Sequence, residues 1–392
     1  MPDSPSAAPP AWRLANRRAQ TATDASAGGT PPLLFSVKLL IVKPSSLGDI
    51  IHALFAVQQL RGQLPQAEIW WVANDSLCDL VGLCPDLHVI PFPRKALGRC
   101  SWKAFRGFLK ALRANEFDAV LDFQGLLRSA LITYAAKSPL RYGFSDAREG
   151  ARLFYNRVVE VPAEPTHAVE KNLLLVKRFL EDQGLALPEG AYTDLPLALP
   201  EDWQSAADEL LEKSGLSGRP LVAVGCASRW DSKSWPEDFF ADVLKEVHRL
   251  RPDAGIWLLG SPDEAPRAEQ VKALCGETPV VSLAGKTSMG ALCALLKASR
   301  VLFTNDSGPM HIAALEAVPC VANFGSTNPV LTGPYGPAGR HFVVQSACPQ
   351  APCFHRECPR GDNHLCCKEI SPVTVAAEIL RRLGDSAPAD PS

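Results

Sequence analysis

The sequence predicts an α/β protein built from two doubly wound parallel sheets. Three observations carry that prediction. Short apolar runs alternate with amphipathic helical segments, and the alternation stops at a proline-rich passage from Leu187 to Pro200 and then restarts. The 392-residue length exceeds one ordinary core and suits two domains. Several apolar runs also end in small or polar residues just before a helix, where such sheets hold ligands.

In the first half, Leu39–Val42 reads as a buried strand, followed by a helix from about Ile50 to Gln63 with Ile50, Leu54, Val57 and Leu60 on its buried face. Ile69–Val72 and Ala119–Asp122 are further strands, and helices are expected at about Leu126–Ala136 and His167–Gln183. In the second half, Leu221–Val224, Ile256–Leu259, Val280–Leu283 and Val301–Thr304 read as strands, with helices such as Pro236–Leu250 and Ser288–Ala298 between them. The expected domains are residues 36–190 and 191–384. Residues 1–35, rich in Ala, Pro, Ser and Thr, are expected to be a disordered extension, and 385–392 a disordered tail.

Composition is that of a soluble globular protein, 46% hydrophobic and 21% charged. No apolar run approaches the roughly 20 residues that span a bilayer. The twin arginine Arg17-Arg18 lacks the apolar core of an export signal, so a cytoplasmic location is expected, with peripheral contact at the inner membrane. The net charge of -2 hides an asymmetry: between Pro91 and Arg157 there are 13 Lys or Arg against 5 Asp or Glu, a balance of +8, leaving -10 elsewhere. From Ser101 to Ala114 the spacing places Trp102, Phe105, Leu109 and Leu112 on one helix face and Lys103, Arg106, Lys110 and Arg113 on another. Such charges usually form a solvated face; the functional reading is an acidic partner, either anionic lipid or a phosphorylated glycan. No nucleic-acid motif accompanies them, and nucleic acid is not an expected partner.

Asn305–His311 is the richest stretch for chemistry. It joins the strand Val301–Thr304 to a helix that begins near Met310, with Asp306 or Ser307 as N-cap and Pro309 in the first turn. A helix N-terminus beside Gly308 suits a diphosphate, and Asp306 suits sugar hydroxyls; a capped helix is the plain alternative. Lys43–Asp49 follows the first strand, with Gly48 allowing a tight turn. Asp49 reads either as an N-cap or as a base for an incoming hydroxyl. Ser228–Pro236 holds the equivalent place in the second half, where Arg229 and Lys233 can neutralise a leaving diphosphate or simply face solvent. Phe324–Pro329 offers small residues near the same strand ends. A P-loop, a dinucleotide glycine fingerprint and a Gly-x-Ser-x-Gly elbow are absent. Late cysteines Cys348, Cys353, Cys358, Cys366 and Cys367, with His355 and His364, suggest a metal or redox clip, but no Cys-x-x-Cys occurs and structural thiols are the expectation.

Lys43–Asp49, Asp231–Pro236, Thr304–His311 and Phe324–Gly336 together resemble the motifs of glycosyltransferase family nine, the ADP-heptose:lipopolysaccharide heptosyltransferases. Asp122–Leu126 and Leu153–Arg157 are similar to the heptosyltransferase I branch, whereas Cys353–Pro359 resembles heptosyltransferase II or other family members. The resemblance extends from about Val37 to Leu383. It implies a GT-B fold, two Rossmann-like domains facing a cleft, and inverting transfer with no cofactor and no metal. On its terms Asp49 is the catalytic base. Ser228, Arg229, Lys233, Asp263, Asp306, Ser307, Gly308 and His311 bind the ADP-heptose donor. Lys43, Ser46, Gly48, Lys103, Arg106, Gln124, Arg128 and Arg148 bind a Kdo2-lipid A acceptor. Ser228-Arg229 depart from the two threonines usual in heptosyltransferase I. Addition of the first heptose to an inner-core Kdo is the primary expectation. A second heptose or another sugar on a later core acceptor, and a non-catalytic nucleotide-sugar or anionic-lipid binding protein, are the alternatives.

Overall fold

Branched and aromatic runs become the strands of two separate sheets in the computed structural model, which describes residues 37–84, 86–94, 102–188, 198–362 and 366–384. The expected tails, and the boundary expected between residues 190 and 191, lie outside those residues. Among the described residues the first sheet contains β1 (Lys38–Val42), β2 (Glu68–Asn74), β3 (Leu87–Phe92), β4 (Ala119–Asp122), β5 (Leu140–Phe144) and β6 (Arg157–Val159). The second contains β7 (Leu221–Gly225), β8 (Gly255–Leu259), β9 (Val280–Ser282), β10 (Val301–Asn305), β11 (Cys320–Phe324) and β12 (Phe342–Gln345). Each sheet belongs to its own compact unit.

Every strand pairing is parallel, and the orders β3-β2-β1-β4-β5-β6 and β12-β11-β10-β7-β8-β9 describe the same topology twice. The chain reverses direction across each sheet between β1 and β4, and again between β7 and β10. In open parallel sheets that reversal leaves a crevice outside the strand carboxyl ends, and ligands bind there. The loops singled out by sequence leave β1, β4, β7 and β10, so topology alone brings them to the two switch points.

The central strands are fully buried, as continuous apolar runs in a sheet covered on both faces must be. The edge strands β3, β6, β9 and β12 are less completely buried. Pro91 lies within β3, which is tolerated because β3 is an edge strand.

Helix ends differ from expectation for local reasons. The first helix, α1 (Leu47–Gln63), starts three residues early because Ser46 is its N-cap. α2 is a short helix, Cys78–Gly82. α3 (Trp102–Arg113) buries Phe108 and Leu112, not Trp102, which is 71% exposed. α4 (Leu127–Ala135) and α5 (Ala168–Asp182) complete the first unit. In the second, α6 (Glu201–Lys213) follows the proline-rich passage, and α7 (Glu237–Leu250) and α8 (Ala265–Leu274) flank β8. α9 (Met289–Lys297) is capped by Ser288, whose Oγ accepts the Ala291 N–H at 3.1 Å. α10 (Gly308–Leu315) and the short α11 (Pro329–Thr332) follow β10 and β11, and α12 (Pro372–Gly384) packs Val375, Ile379 and Leu383 into the same core as Phe240 and Leu244 of α7. Among the described residues no helix is long and apolar enough to cross a membrane.

Candidate active site

The first half-site lies at the β1/β4 switch point. Asp49 occupies the third position of α1 rather than the cap, and its Oδ2 accepts the Ser46 N–H at 3.0 Å and the Ser46 hydroxyl at 2.7 Å. These two bonds fix the carboxylate's rotamer and place negative charge in the first helical turn. The side chain remains 46% exposed. Such a carboxylate is both held and accessible, as a general base must be.

Lys43 lies beneath it. Its ammonium donates to the Phe123 carbonyl at 2.9 Å and stands 3.8 Å from Asp49 Oδ1. Burial pushes the lysine below its ordinary pKa, and the Asp49 and Asp122 carboxylates oppose that shift. Lys43, expected to touch an acceptor, is buried and stands against Asp49 from inside.

Asp122, at the end of β4, is fully buried. It accepts the N–H groups of Gln124 (2.9 Å) and Gly125 (3.2 Å) and the Tyr155 hydroxyl (2.8 Å). These bonds shape the turn that presents the Phe123 carbonyl to Lys43. The Gln124 side-chain oxygen is buried with no hydrogen-bond partner among the described residues. An orphan acceptor of that kind is costly unless a ligand donor satisfies it.

Burial pushes the Asp122 carboxyl above the usual carboxylate range, opposed by the Tyr155 hydroxyl and the two N–H donors. Its protonated form therefore favours the fold. The contribution is complete below about pH 4, the unfolded value, and is lost as pH rises through the raised native value. Asp122→Asn is expected to flatten the urea midpoint's fall with pH above about pH 4. An unchanged slope would show that Asp122 titrates normally.

The second half-site lies at the β7/β10 switch point. Lys233, in a 3-10 turn after β7, donates to Asp306 Oδ2 at 2.6 Å, and Thr327 Oγ1 donates to the same oxygen at 2.7 Å. The ammonium also lies 4.5 Å from the centre of the Trp230 ring. Ser228 Oγ donates to the Asp306 carbonyl at 3.1 Å. The two groups expected to divide the donor between them, cation for phosphate and carboxylate for hydroxyls, are thus bound to each other. Both side chains are largely buried, so the pair holds Lys233 in one position.

Ser307 is the N-cap of α10, but its hydroxyl meets Thr304 Oγ1 at 3.0 Å instead of capping, and Gly308 opens the helix. His311 is buried one turn in. Gly325 has a packing reason: an added Cβ would lie 2.5 Å from Cys367 Sγ and 2.9 Å from the Ser232 carbonyl.

The late cysteines support this half-site from behind. Ser232 Oγ lies 2.9 Å from Ser326 Oγ and 2.6 Å from the His355 carbonyl, and the Arg356 guanidinium sits 5.5 Å from the Trp230 ring centre. Cys348, Cys353, Cys358 and Cys366 line one cavity with Ser232 and Ser326. None of these cysteines is in a disulfide, and among the described residues no group of three or more His, Cys, Asp or Glu is placed to hold a metal; His364 lies outside them. The Cys367 thiol draws Cys366 down to about 7 by hydrogen bonding.

Of the expected residues, Lys43, Ser46 and Asp49 meet in the first unit, with Gly48 in the same helical turn and Gln124 on the neighbouring loop. Ser228, Lys233 and Asp306 meet in the second, with Ser307, Gly308 and His311 on the adjoining helix. Arg229 and Asp263 are exposed on loops after β7 and β8. Lys103, Arg106, Arg128 and Arg148 are exposed on the first unit. Thr327, Trp230 and Tyr155 were missed as site residues. Thr327 stood within a quoted motif, but its partner is 21 residues away.

A model of the family described as glycosyltransferase family 9 (heptosyltransferase) matches residues 105–364. The chain is 30% identical over 316 residues to lipopolysaccharide heptosyltransferase 1 of Escherichia coli K12, covering 76% of this chain and 91% of that protein. It is 29% identical over 299 residues to the lipopolysaccharide core heptosyltransferase OpsX of Haemophilus influenzae, covering 76% and 81%. A solved structure of E. coli heptosyltransferase WaaC with ADP matches with a TM-score of 0.68 at 26% identity, covering 88% of this chain and 100% of that one.

Proposed function

The chain belongs to glycosyltransferase family 9, the heptosyltransferases, and on that premise we propose that it moves L-glycero-D-manno-heptose from ADP-heptose to an inner-core Kdo residue of Kdo2-lipid A. The observation that carries this reading is the Lys233–Asp306 pair at the end of β10 and β7, a cation fixed beside the first turn of α10. Relatives named for lipopolysaccharide core heptose transfer, and a related structure holding ADP, support the same donor.

The proposed reaction is one inverting displacement without metal. Asp49 takes the proton of the acceptor hydroxyl, and the oxygen bonds to the anomeric carbon as the bond from that carbon to the diphosphate breaks. ADP departs with the electron pair. Lys233 and the N-terminal N–H groups of α10 stabilise the charge that develops on the leaving diphosphate. The unsatisfied Gln124 side chain offers an acceptor for a second hydroxyl. Ser46, by holding Asp49, is a positioning residue. The reaction is proposed to take place on the cytoplasmic side, where nucleotide sugars are made.

The test is transfer from ADP-L-glycero-D-manno-heptose to Kdo2-lipid A with chelator present, followed by mass spectrometry. A product heavier by one heptose is expected. Donor binding without product would move the acceptor to a later core sugar, and absence of both would exclude this donor.

A further inference from the structure

Five of the large apolar side chains that face solvent fall on neighbouring elements of the first unit: Trp102, Leu127, Leu131, Tyr134 and Leu153. Leu127, Leu131 and Tyr134 recur at spacings of four and three along α4, so they form one outward stripe, while Ser129, Ala130, Ile132 and Thr133 face inward. The 3-10 turn Ala151–Phe154 packs on α4 through Ala130, Ala151 and Tyr155, with Phe154 edge-on to Tyr134 at 5.9 Å. Leu153 on that turn is 87% exposed.

The cations are placed alongside. α3 and α4 share one core through Phe105, Phe108, Leu112, Ile132 and Ala136, so their outer faces adjoin. The outer face of α3 carries exposed Lys103, Arg106, Lys110 and Arg113 at spacings of three, four and three. Arg128 and Arg152 are exposed beside the apolar stripe. Arg141 lies 5.9 Å from the Tyr134 ring centre. Glu149, Asp146 and Glu116 are exposed carboxylates of the same region; one Glu149 oxygen accepts the Leu127 N–H at 3.2 Å, and Asp146 pairs with Lys171.

An apolar ridge with an aromatic hydroxyl and a dense border of cations matches the two zones of an anionic bilayer surface, acyl boundary and phosphate layer. A purely solvated face would explain the cations but not the leucines. We propose that α3, α4 and the 3-10 turn dock this unit on an anionic phospholipid bilayer, with Leu131, Tyr134 and Leu153 entering the headgroup layer and the α3 cations pairing with phosphates. Recognition is of the lipid surface itself and needs neither the sugar donor nor a glycolipid acceptor.

The test is co-sedimentation of the full chain with vesicles of equal parts phosphatidylglycerol and phosphatidylcholine, free of glycolipid, against vesicles of phosphatidylcholine alone. Binding to the anionic vesicles is expected to be at least about tenfold stronger and to weaken with salt. Leu131→Glu with Leu153→Glu is expected to remove it by about tenfold, while Leu131→Trp strengthens it several-fold; a folding defect cannot produce both signs. Wild-type binding that is absent or equal on the two vesicles overturns the proposal. So does a double variant that binds like wild type, or one that instead abolishes a concentration-dependent dimer, which would make a second copy the occupant. Because no donor is present, none of these outcomes depends on the transfer reaction.

Discussion

Asp49→Asn is expected to lower heptose transfer by about 100-fold or more while leaving donor affinity and stability nearly unchanged. The choice of asparagine follows from the geometry. Asp49 Oδ2 serves the fold by accepting two bonds from Ser46, and an amide oxygen can accept them as well. What asparagine cannot do is take a proton from an acceptor hydroxyl. Asp49→Ala loses both roles, so it should show the same loss of turnover together with a destabilisation of about 1 kcal/mol from the broken cap. Comparing the two separates proton transfer from capping. Turnover retained in Asp49→Asn but lost in Asp49→Ala would mean that Asp49 only shapes the start of α1. The pH profile adds an independent readout: with the base removed, the acid limb of kcat against pH should disappear from the residual activity.

Much of this arrangement was legible before any coordinates, and the reasons differ by element. The central strands were readable because burial on both faces demands continuous apolar runs, as in Leu39–Val42 and Val301–Thr304. The edge strands β3 and β6 were not, since β3 contains Pro91 and β6 is three residues long, whereas the apolar run at Val280–Leu283 marked edge strand β9. In α3 the spacing alone did not tell Phe108 from Trp102, because either can lead an apolar face and only packing beneath decides which. The site loops were legible as motifs at strand ends. Their pairings were not, because Lys233 and Asp306 lie 73 residues apart and Tyr155 reaches Asp122 across 33. Local sequence fixes which loop a carboxylate occupies; the sheet order decides what it meets.

The Lys233–Asp306 pairing makes its own prediction, since it sets a carboxylate beside the cation proposed to hold the donor diphosphate. Lys233→Met removes the cation and leaves Asp306 buried with only the Thr327 hydroxyl on its bonded oxygen. Donor affinity is expected to fall by about 100-fold, roughly 3 kcal/mol, through lost attraction and uncompensated negative charge together. Lys233→Met with Asp306→Asn removes the repulsion as well, and is expected to bind ADP about tenfold more tightly than the single variant. If Asp306 served only sugar hydroxyls, the second change would have no effect on ADP and would weaken ADP-heptose further. Asp306→Asn alone completes the cycle. It frees Lys233 for phosphate, so ADP binding should hold or rise, while transfer falls because the sugar loses its carboxylate. Calorimetry with ADP and with ADP-heptose on the three variants distinguishes a residue that orients a cation from one that grips a sugar. The 2.6 Å bond between the two side chains argues that Asp306 does the first before any ligand arrives.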